Sequence, residues 1–242
     1  AFLALAATRA LGPRALCVTA DSPSYPARHR AMALDIARRF GLQHEIIRTG
    51  ELERPEYRAN APDRCYHCKD ELYARLKALA RVRGIEAVAD GNNADDRADY
   101  RPGRAAAREH GVISPLDEAG LTKADIRLLS QEAGLPTWDE PASACLSSRI
   151  PYHSEVTETK LRAIEQAEDA MRALGFRVVR VRHHDTIARL ELGRDEMVRA
   201  LEPETAAAID RALRMLGFRY VTLDLRGYRL GSLNEGIQLL PR

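Results

Sequence analysis

Apolar positions at helical spacing open the chain. Phe2, Leu3, Leu5, Ala6 and Ala10 form one stripe, which Gly12 and Pro13 end. A continuous apolar run at 15–20 follows and stops at polar Asp21-Ser22-Pro23-Ser24, the pattern of a short buried strand. The spacing next predicts a helix over 27–40, closed by Gly41, and a strand at 44–47. A helix over 66–82, with Leu72, Leu76 and Leu79 on its core face, leads to an apolar strand at 85–90 and a polar loop at 91–103. Helix, buried strand, helix, strand is the rhythm of a parallel α/β sheet. Further on, Thr122 is a good N-cap for a helix to 133, and Gly134-Leu135-Pro136 follows it.

After Tyr152 the pattern changes. An amphipathic helix over 158–174 precedes strands at 176–182 and 187–192, and a second long helix runs to 216. Ala173-Leu174-Gly175-Phe176-Arg177 is echoed by Met215-Leu216-Gly217-Phe218-Arg219, with a strand after each. The repeat predicts an α+β layer in which two helices cover one sheet face. The change of pattern puts a domain border near Pro151, giving domains of 1–150 and 151–242.

Composition narrows the classes. A length of 242 residues suits one large domain, or one domain plus a small second one, and 45% hydrophobic with 30% charged residues is ordinary for a soluble globular protein. A net charge of +2 gives no reason to expect nucleic-acid binding. No apolar run approaches the roughly 20 residues needed to cross a membrane, so no membrane partner is expected. Residues 1–7 resemble the apolar part of a signal peptide, but no basic segment precedes them and no disulfide framework follows. With four cysteines in all, a cytoplasmic, reducing setting is the expectation, and there a Cys-x-x-Cys points to metal or redox chemistry.

Cys65 and Cys68 stand at a helix start between Arg64 and Lys69, a setting that favours thiolates. By themselves they fit a redox pair, half of a zinc site, or chance. Cys145, in a polar Ser-rich stretch, is a third candidate. Three cysteines make a poor structural zinc site, yet three thiolates can hold a cubane iron–sulfur cluster with one iron open. Cys17, inside a strand, reads as a small buried hydrophobe. Ser148 and Arg149 offer a hydroxyl and a guanidinium to a phosphate or carboxylate, with a plain surface loop as the alternative. Arg180 and Arg182, at strand spacing, share one face and can converge on one anion, or simply line a solvated edge. Asp95, Asp96 and Asp99 can hold Mg²⁺, or serve as turn and cap residues. Asp21 and the 91–103 loop both lie at carboxyl ends of strands, where open α/β sheets bind ligands.

Four stretches carry a resemblance that spans essentially the whole chain: Asp63-Arg64-Cys65-Tyr66-His67-Cys68-Lys69; Gly91-Asn92-Asn93-Ala94-Asp95-Asp96-Arg97-Ala98-Asp99-Tyr100-Arg101-Pro102-Gly103; Ser114-Pro115-Leu116 with Leu121-Thr122-Lys123; and Pro141-Ala142-Ser143-Ala144-Cys145-Leu146-Ser147-Ser148-Arg149-Ile150-Pro151-Tyr152. In these the chain resembles the LarE family of ATP-dependent sulfur transferases, within the PP-loop ATP pyrophosphatase superfamily. The resemblance implies an α/β, parallel-sheet PP-loop ATP pyrophosphatase (adenine nucleotide alpha hydrolase-like) domain with a smaller C-terminal α+β domain. It also implies ATP-dependent adenylation and thiolation of pyridinium-3,5-biscarboxylic acid mononucleotide, a step toward the nickel-pincer nucleotide cofactor of lactate racemase.

On that reading Cys145 is the catalytic cysteine. Asp21, Gly91, Asn92, Asp95, Asp96 and Asp99 lie around ATP and Mg²⁺, while Ser148, Arg149, Arg180 and Arg182 hold the substrate's phosphate and free carboxylate. Members with a single such cysteine surrender its sulfur. Members with an added Cys-x-x-Cys resemble cluster enzymes, so Cys65, Cys68 and Cys145 are expected to hold a [4Fe–4S] cluster. A homo-oligomer, and transient contact with other proteins that mature the cofactor, are further expectations. The family's Ser-Gly-Gly-x-Asp-Ser loop, which binds the pyrophosphate of ATP, belongs just before Ala1, and the chain is expected to be truncated there. Glu140 stands where the pattern has Lys, and His153 where it has Gly. The rivals are another PP-loop enzyme, such as a tRNA thiolase or amide-forming synthetase, and a non-enzymatic metal-binding module. A tRNA thiolase calls for a basic stripe with stacking aromatics, against 5% aromatic residues here.

Overall fold

A computed structural model describes residues 1–97, 101–141, 144–229 and 231–233. They form an α/β protein of two compact units. The first comprises Ala1–Tyr57 and Asp63–Ala142, the second Arg58–Pro62 and Ser143–Arg242.

In the first unit, α1 (Phe2–Leu11) and α2 (Ala27–Phe40) flank β1 (Cys17–Asp21), which pairs in parallel with β2 (His44–Arg48). Leu5, Ile36 and Leu135 form the buried centre beside these elements. Gly41, at φ 64, ends α2 in the left-handed conformation that a residue without Cβ adopts at no steric cost. A one-turn α3 (Pro55–Arg58) leads to α4 (Arg64–Arg83), which packs on α5 (Gly103–Glu109) through Tyr73, Ala106 and Ala107. The turn α6 (Pro115–Glu118) precedes α7 (Lys123–Glu132), where Thr122 is the N-cap that its sequence predicts, in a capping box that Asp125 closes. The strand expected at 85–90 does not form as a ladder. Among the described residues only its end is paired, where Ala89 bridges Ile113 in parallel and the backbone of Val88 and Asp90 brackets Ile113.

The second unit is a three-stranded mixed sheet, β3 (Val179–His184), β4 (Ile187–Leu192) and β5 (Tyr220–Leu223), ordered β3-β4-β5, with β3/β4 antiparallel and β4/β5 parallel. Val179, Val181, Ala188, Leu190 and Leu192 share one core with residues of α8 (Glu158–Ala173) and α10 (Pro203–Arg214). This is the layer that the helix-Gly-Phe-strand repeat predicts. Phe176 and Phe218 are both buried in the core, and Gly175 and Gly217 turn the chain at φ 87 and 98.

Several boundaries differ from expectation. The strand starts at Val179 because the Glu196 carboxylate takes the backbone N–H groups of Arg177 and Val178. The long second helix is split into α9 (Met197–Ala200) and α10, with Pro203 at the first position of α10, where its missing N–H costs nothing. The border lies ahead of Pro151: the Cys145 segment belongs to the second unit, because Arg149 is anchored on α8 through Glu168. No helix among the described residues is long and apolar enough to cross a membrane.

Candidate functional site

Alternation along β3 sends Val179 and Val181 into the core and Arg180 and Arg182 to the other face. Both arginines are buried, as is Glu191 on β4, which stands opposite Arg180 and bonds diagonally to Arg182 Nη2 at 2.7 Å. Arg182 also donates to the Ser148 carbonyl at 2.6 Å and to Ser232 Oγ at 2.6 Å, while its Nε is buried with no partner among the described residues. Arg180 donates to its neighbour's carbonyl, Val179 O, and lies over the Tyr228 ring, 5.1 Å from its centre. Burial, and then the charge of Arg149, pull Arg180 below the ordinary arginine range; Glu168 opposes this.

Cys145 caps a 3-10 turn, Leu146–Arg149, with its thiol half-buried. Its carbonyl accepts from Ser148 N at 3.0 Å, Ser148 Oγ at 2.8 Å and Arg149 Nη1 at 3.0 Å. Arg149 is fully buried and directed inward. Its Nε and Nη2 meet Glu168 at 2.8 and 3.2 Å, and Nη1 also reaches Ala144 O and Ser148 Oγ. In this arrangement Arg149 holds the cysteine segment in place rather than offering its guanidinium to solvent. The second unit therefore gathers Cys145, Ser148, Arg149, Arg180 and Arg182 on one frame. Three arginines, Arg149, Arg180 and Arg182, stand there with the acids Glu168 and Glu191.

In the first unit, Cys65 and Cys68 lie on the first turns of α4, one helical turn apart, and neither is in a disulfide. Gly103 of α5 approaches so closely that a Cβ there would sit 2.9 Å from Lys69 Cγ and 3.3 Å from Cys65 O. Among the described residues, no group of three or more His, Cys, Asp or Glu is arranged around a common metal position. Asp21 ends β1 and pairs with Arg30 at 2.7 Å. Gly91 is exposed, and Asn92 bonds back to Asp90. Asp95 caps α7 through Lys123 N at 2.8 Å, and Asp96 accepts from Asn93 N and pairs with Arg101. Turn and cap duties thus occupy both carboxylates here. Asp99 lies outside the described residues.

The chain is 38% identical over 218 residues to the pyridinium-3,5-bisthiocarboxylic acid mononucleotide synthase of Lactiplantibacillus plantarum, which spans 90% of this chain and 78% of the synthase. This chain belongs to the LarE family. It is also 43% identical over 225 residues to an uncharacterized protein of Synechocystis sp., covering 93% of this chain and 84% of that one. An uncharacterized protein of Methanocaldococcus jannaschii is 26% identical over 214 residues, 88% and 81% of the two chains. No model of a known protein family matches.

Both departures from the LarE pattern have a structural counterpart. Glu140 pairs with Arg28, which a lysine there would repel. His153 has φ 66, a left-handed conformation in which glycine meets no steric penalty. Glu168, Glu191 and Asp90 are the residues of these sites that the sequence reading missed. A usable signal existed for Glu168, a charge within the stripe Leu161, Ile164, Ala167 and Met171 of α8, all buried.

Proposed function

We propose that the protein is an ATP-dependent sulfur transferase that adenylates and thiolates pyridinium-3,5-biscarboxylic acid mononucleotide in biosynthesis of the nickel-pincer nucleotide cofactor of lactate racemase, with a PP-loop ATP pyrophosphatase fold in its first unit. The observation that carries the reading is the joining of Cys145 to an arginine-rich face in one unit, through Arg149, Ser148 and Arg182. The synthase named above, related over most of its length, supports it. A nucleotide with two carboxylates and a phosphate is the kind of anion such a face attracts.

In the proposed reaction a substrate carboxylate oxygen attacks the α-phosphorus of ATP and pyrophosphate leaves. A sulfur nucleophile then adds to the acyl carbon and expels AMP. Cys65 and Cys68, one turn apart and outside any disulfide, fit a thiolate pair, and with Cys145 they would hold a [4Fe–4S] cluster. When bound, that cluster supplies an open iron able to carry the sulfide. Among the described residues Asp95 and Asp96 serve the loop and the α7 cap, and Asp21 is held only by a partly exposed Arg30, so of these three Asp21 is the carboxylate proposed to meet the Mg²⁺ of ATP. In the alternative, Cys145 itself forms the thioester, a base removes its Cα proton, and the Cβ–S bond breaks to leave dehydroalanine.

The test is Cys65→Ala, purified without oxygen. Loss of both the brown chromophore and turnover is the expected outcome. A colourless, active variant that loses the sulfur of Cys145 by mass overturns the cluster route, and a wild type that makes no thiocarboxylate from ATP and the substrate overturns the function.

A further inference from the structure

The Asp90 carboxylate collects four hydrogen bonds where the 91–103 loop begins. Oδ2 accepts from Tyr73 Oη at 2.8 Å and from Asn92 Nδ2 at 2.6 Å. Oδ1 accepts from Ser114 Oγ at 2.8 Å and from Asn92 N at 3.2 Å. These donors come from α4, from the residue preceding α6, and from the loop itself. Tyr73 is almost wholly buried, so the node is anchored in the core that α4 and α5 share.

A carboxylate can only accept, so the node decides how the Asn92 amide faces. Its –NH₂ end must point at Asp90 Oδ2, and the backbone N–H of the same residue, bonded to Oδ1, fixes the side chain's base. The amide carbonyl Oδ1 is then turned away from the carboxylate. Asn92 is half-buried and stands next to exposed Gly91, at the carboxyl end of the bridged segment where α/β sheets bind ligands. An outward carbonyl accepts a hydrogen bond. It repels a phosphate oxygen, which is also an acceptor.

We infer that Asp90 is a positioning residue that fixes the Asn92 amide so that its carbonyl oxygen reads a hydrogen-bond donor of the nucleotide, a ribose hydroxyl or the base amine, and not its phosphates. This rests on the proposed use of ATP and specifies how one residue of that site discriminates. Tyr73 and Ser114 act at one further remove, holding the carboxylate that holds the amide.

Calorimetric binding of ATP, 2′-deoxy-ATP, 3′-deoxy-ATP and ITP to the wild type, Asn92→Ala and Tyr73→Phe tests it. ITP replaces the base amine by a carbonyl, so the arms separate the two sources of the donor. In the wild type, one analogue should bind about tenfold more weakly than ATP, the loss expected when a site's acceptor is left unpaired. Asn92→Ala should bring that ratio below about twofold. Tyr73→Phe should reduce it only in part, with thermal unfolding close to wild type, because three of the four hydrogen bonds to Asp90 remain. Asp90→Ala, which removes both acceptor oxygens, tests the node directly and should lower the ratio as Asn92→Ala does. Analogues that all bind the wild type as ATP does, or a penalty that persists unchanged in Asn92→Ala, overturn the inference. A wild type that does not bind ATP overturns the proposed function and the inference with it.

Discussion

Glu168 shows what one residue carries and how much of it can be read from sequence. Its side chain is buried on α8 and meets Arg149, Arg172 at 2.9 Å and the edge N–H of Val181 at 3.3 Å. Burial opposes its charge, but the charge and hydrogen bonds of Arg149, with Arg180 and Arg172, outweigh it and hold its pKa below the usual glutamate value. A depressed carboxylate pKa stabilises the fold above the unfolded-state value of about 4.3 and ceases to do so as pH falls through the folded-state value. Glu168→Gln leaves Arg149 buried without its counter-charge, so it should cost about 3–5 kcal/mol in denaturant unfolding at pH 7. The gap from wild type should narrow as the pH is taken below that of an ordinary glutamate. The sequence displays a charge on an apolar stripe, and so the need for a partner. It does not say which arginine answers, which is why Arg149 reads there as a substrate ligand and here as the anchor of the Cys145 segment.

At the scale of elements, legibility follows how local the cause is. The helix-Gly-Phe-strand repeat is local: the glycine's φ and the phenylalanine's burial recur at both copies, and the two-helix layer follows. The capping box at Thr122 is local too. The 85–90 strand is not, because an apolar run becomes a strand only where neighbours lie alongside, and Ala89 finds one residue to bridge. Pro203 was a local signal that the expectation of one long helix to 216 passed over, and it is decisive, since the chain cannot continue one helix through it. Glycine positions separate two causes. A Cβ at Gly217 meets nothing within 4 Å, so Gly217→Ala is penalised by its φ of 98 alone. The expected cost is roughly 1–2 kcal/mol, seen as a lower unfolding midpoint with no change of the m-value. Gly103 is the reverse case, an ordinary backbone with Lys69 and the Cys65 carbonyl too close for a side chain.

For the molecule as a whole, division into two units does not follow the order of the sequence. Hydrophobic periodicity marks a change after Tyr152, yet the second unit reaches back for Arg58–Pro62, a segment that no local pattern distinguishes. Asn60 is the reason that segment belongs there. Fully buried, it donates from Nδ2 to Pro151 O at 2.7 Å, Ser154 O at 2.9 Å and Ile150 O at 3.3 Å, and its own carbonyl accepts from His153 N. Those carbonyls lie just after the Cys145 turn, so residue 60 helps to fix the backbone on which the candidate thiol is carried. Asn60→Ala removes the two N–H donors that those three carbonyls share and should cost roughly 2 kcal/mol, at about 1 kcal/mol for each N–H. Asn60→Gly loses the same contacts but relieves φ 55, so it should be the milder change. Hydrogen exchange locates the effect: amides at 150–156 should lose protection, while those around Leu5 and Ile36 in the other unit keep theirs. Equal loss in both units would mean that the chain unfolds as one cooperative body, and that Asn60 belongs to the whole of it.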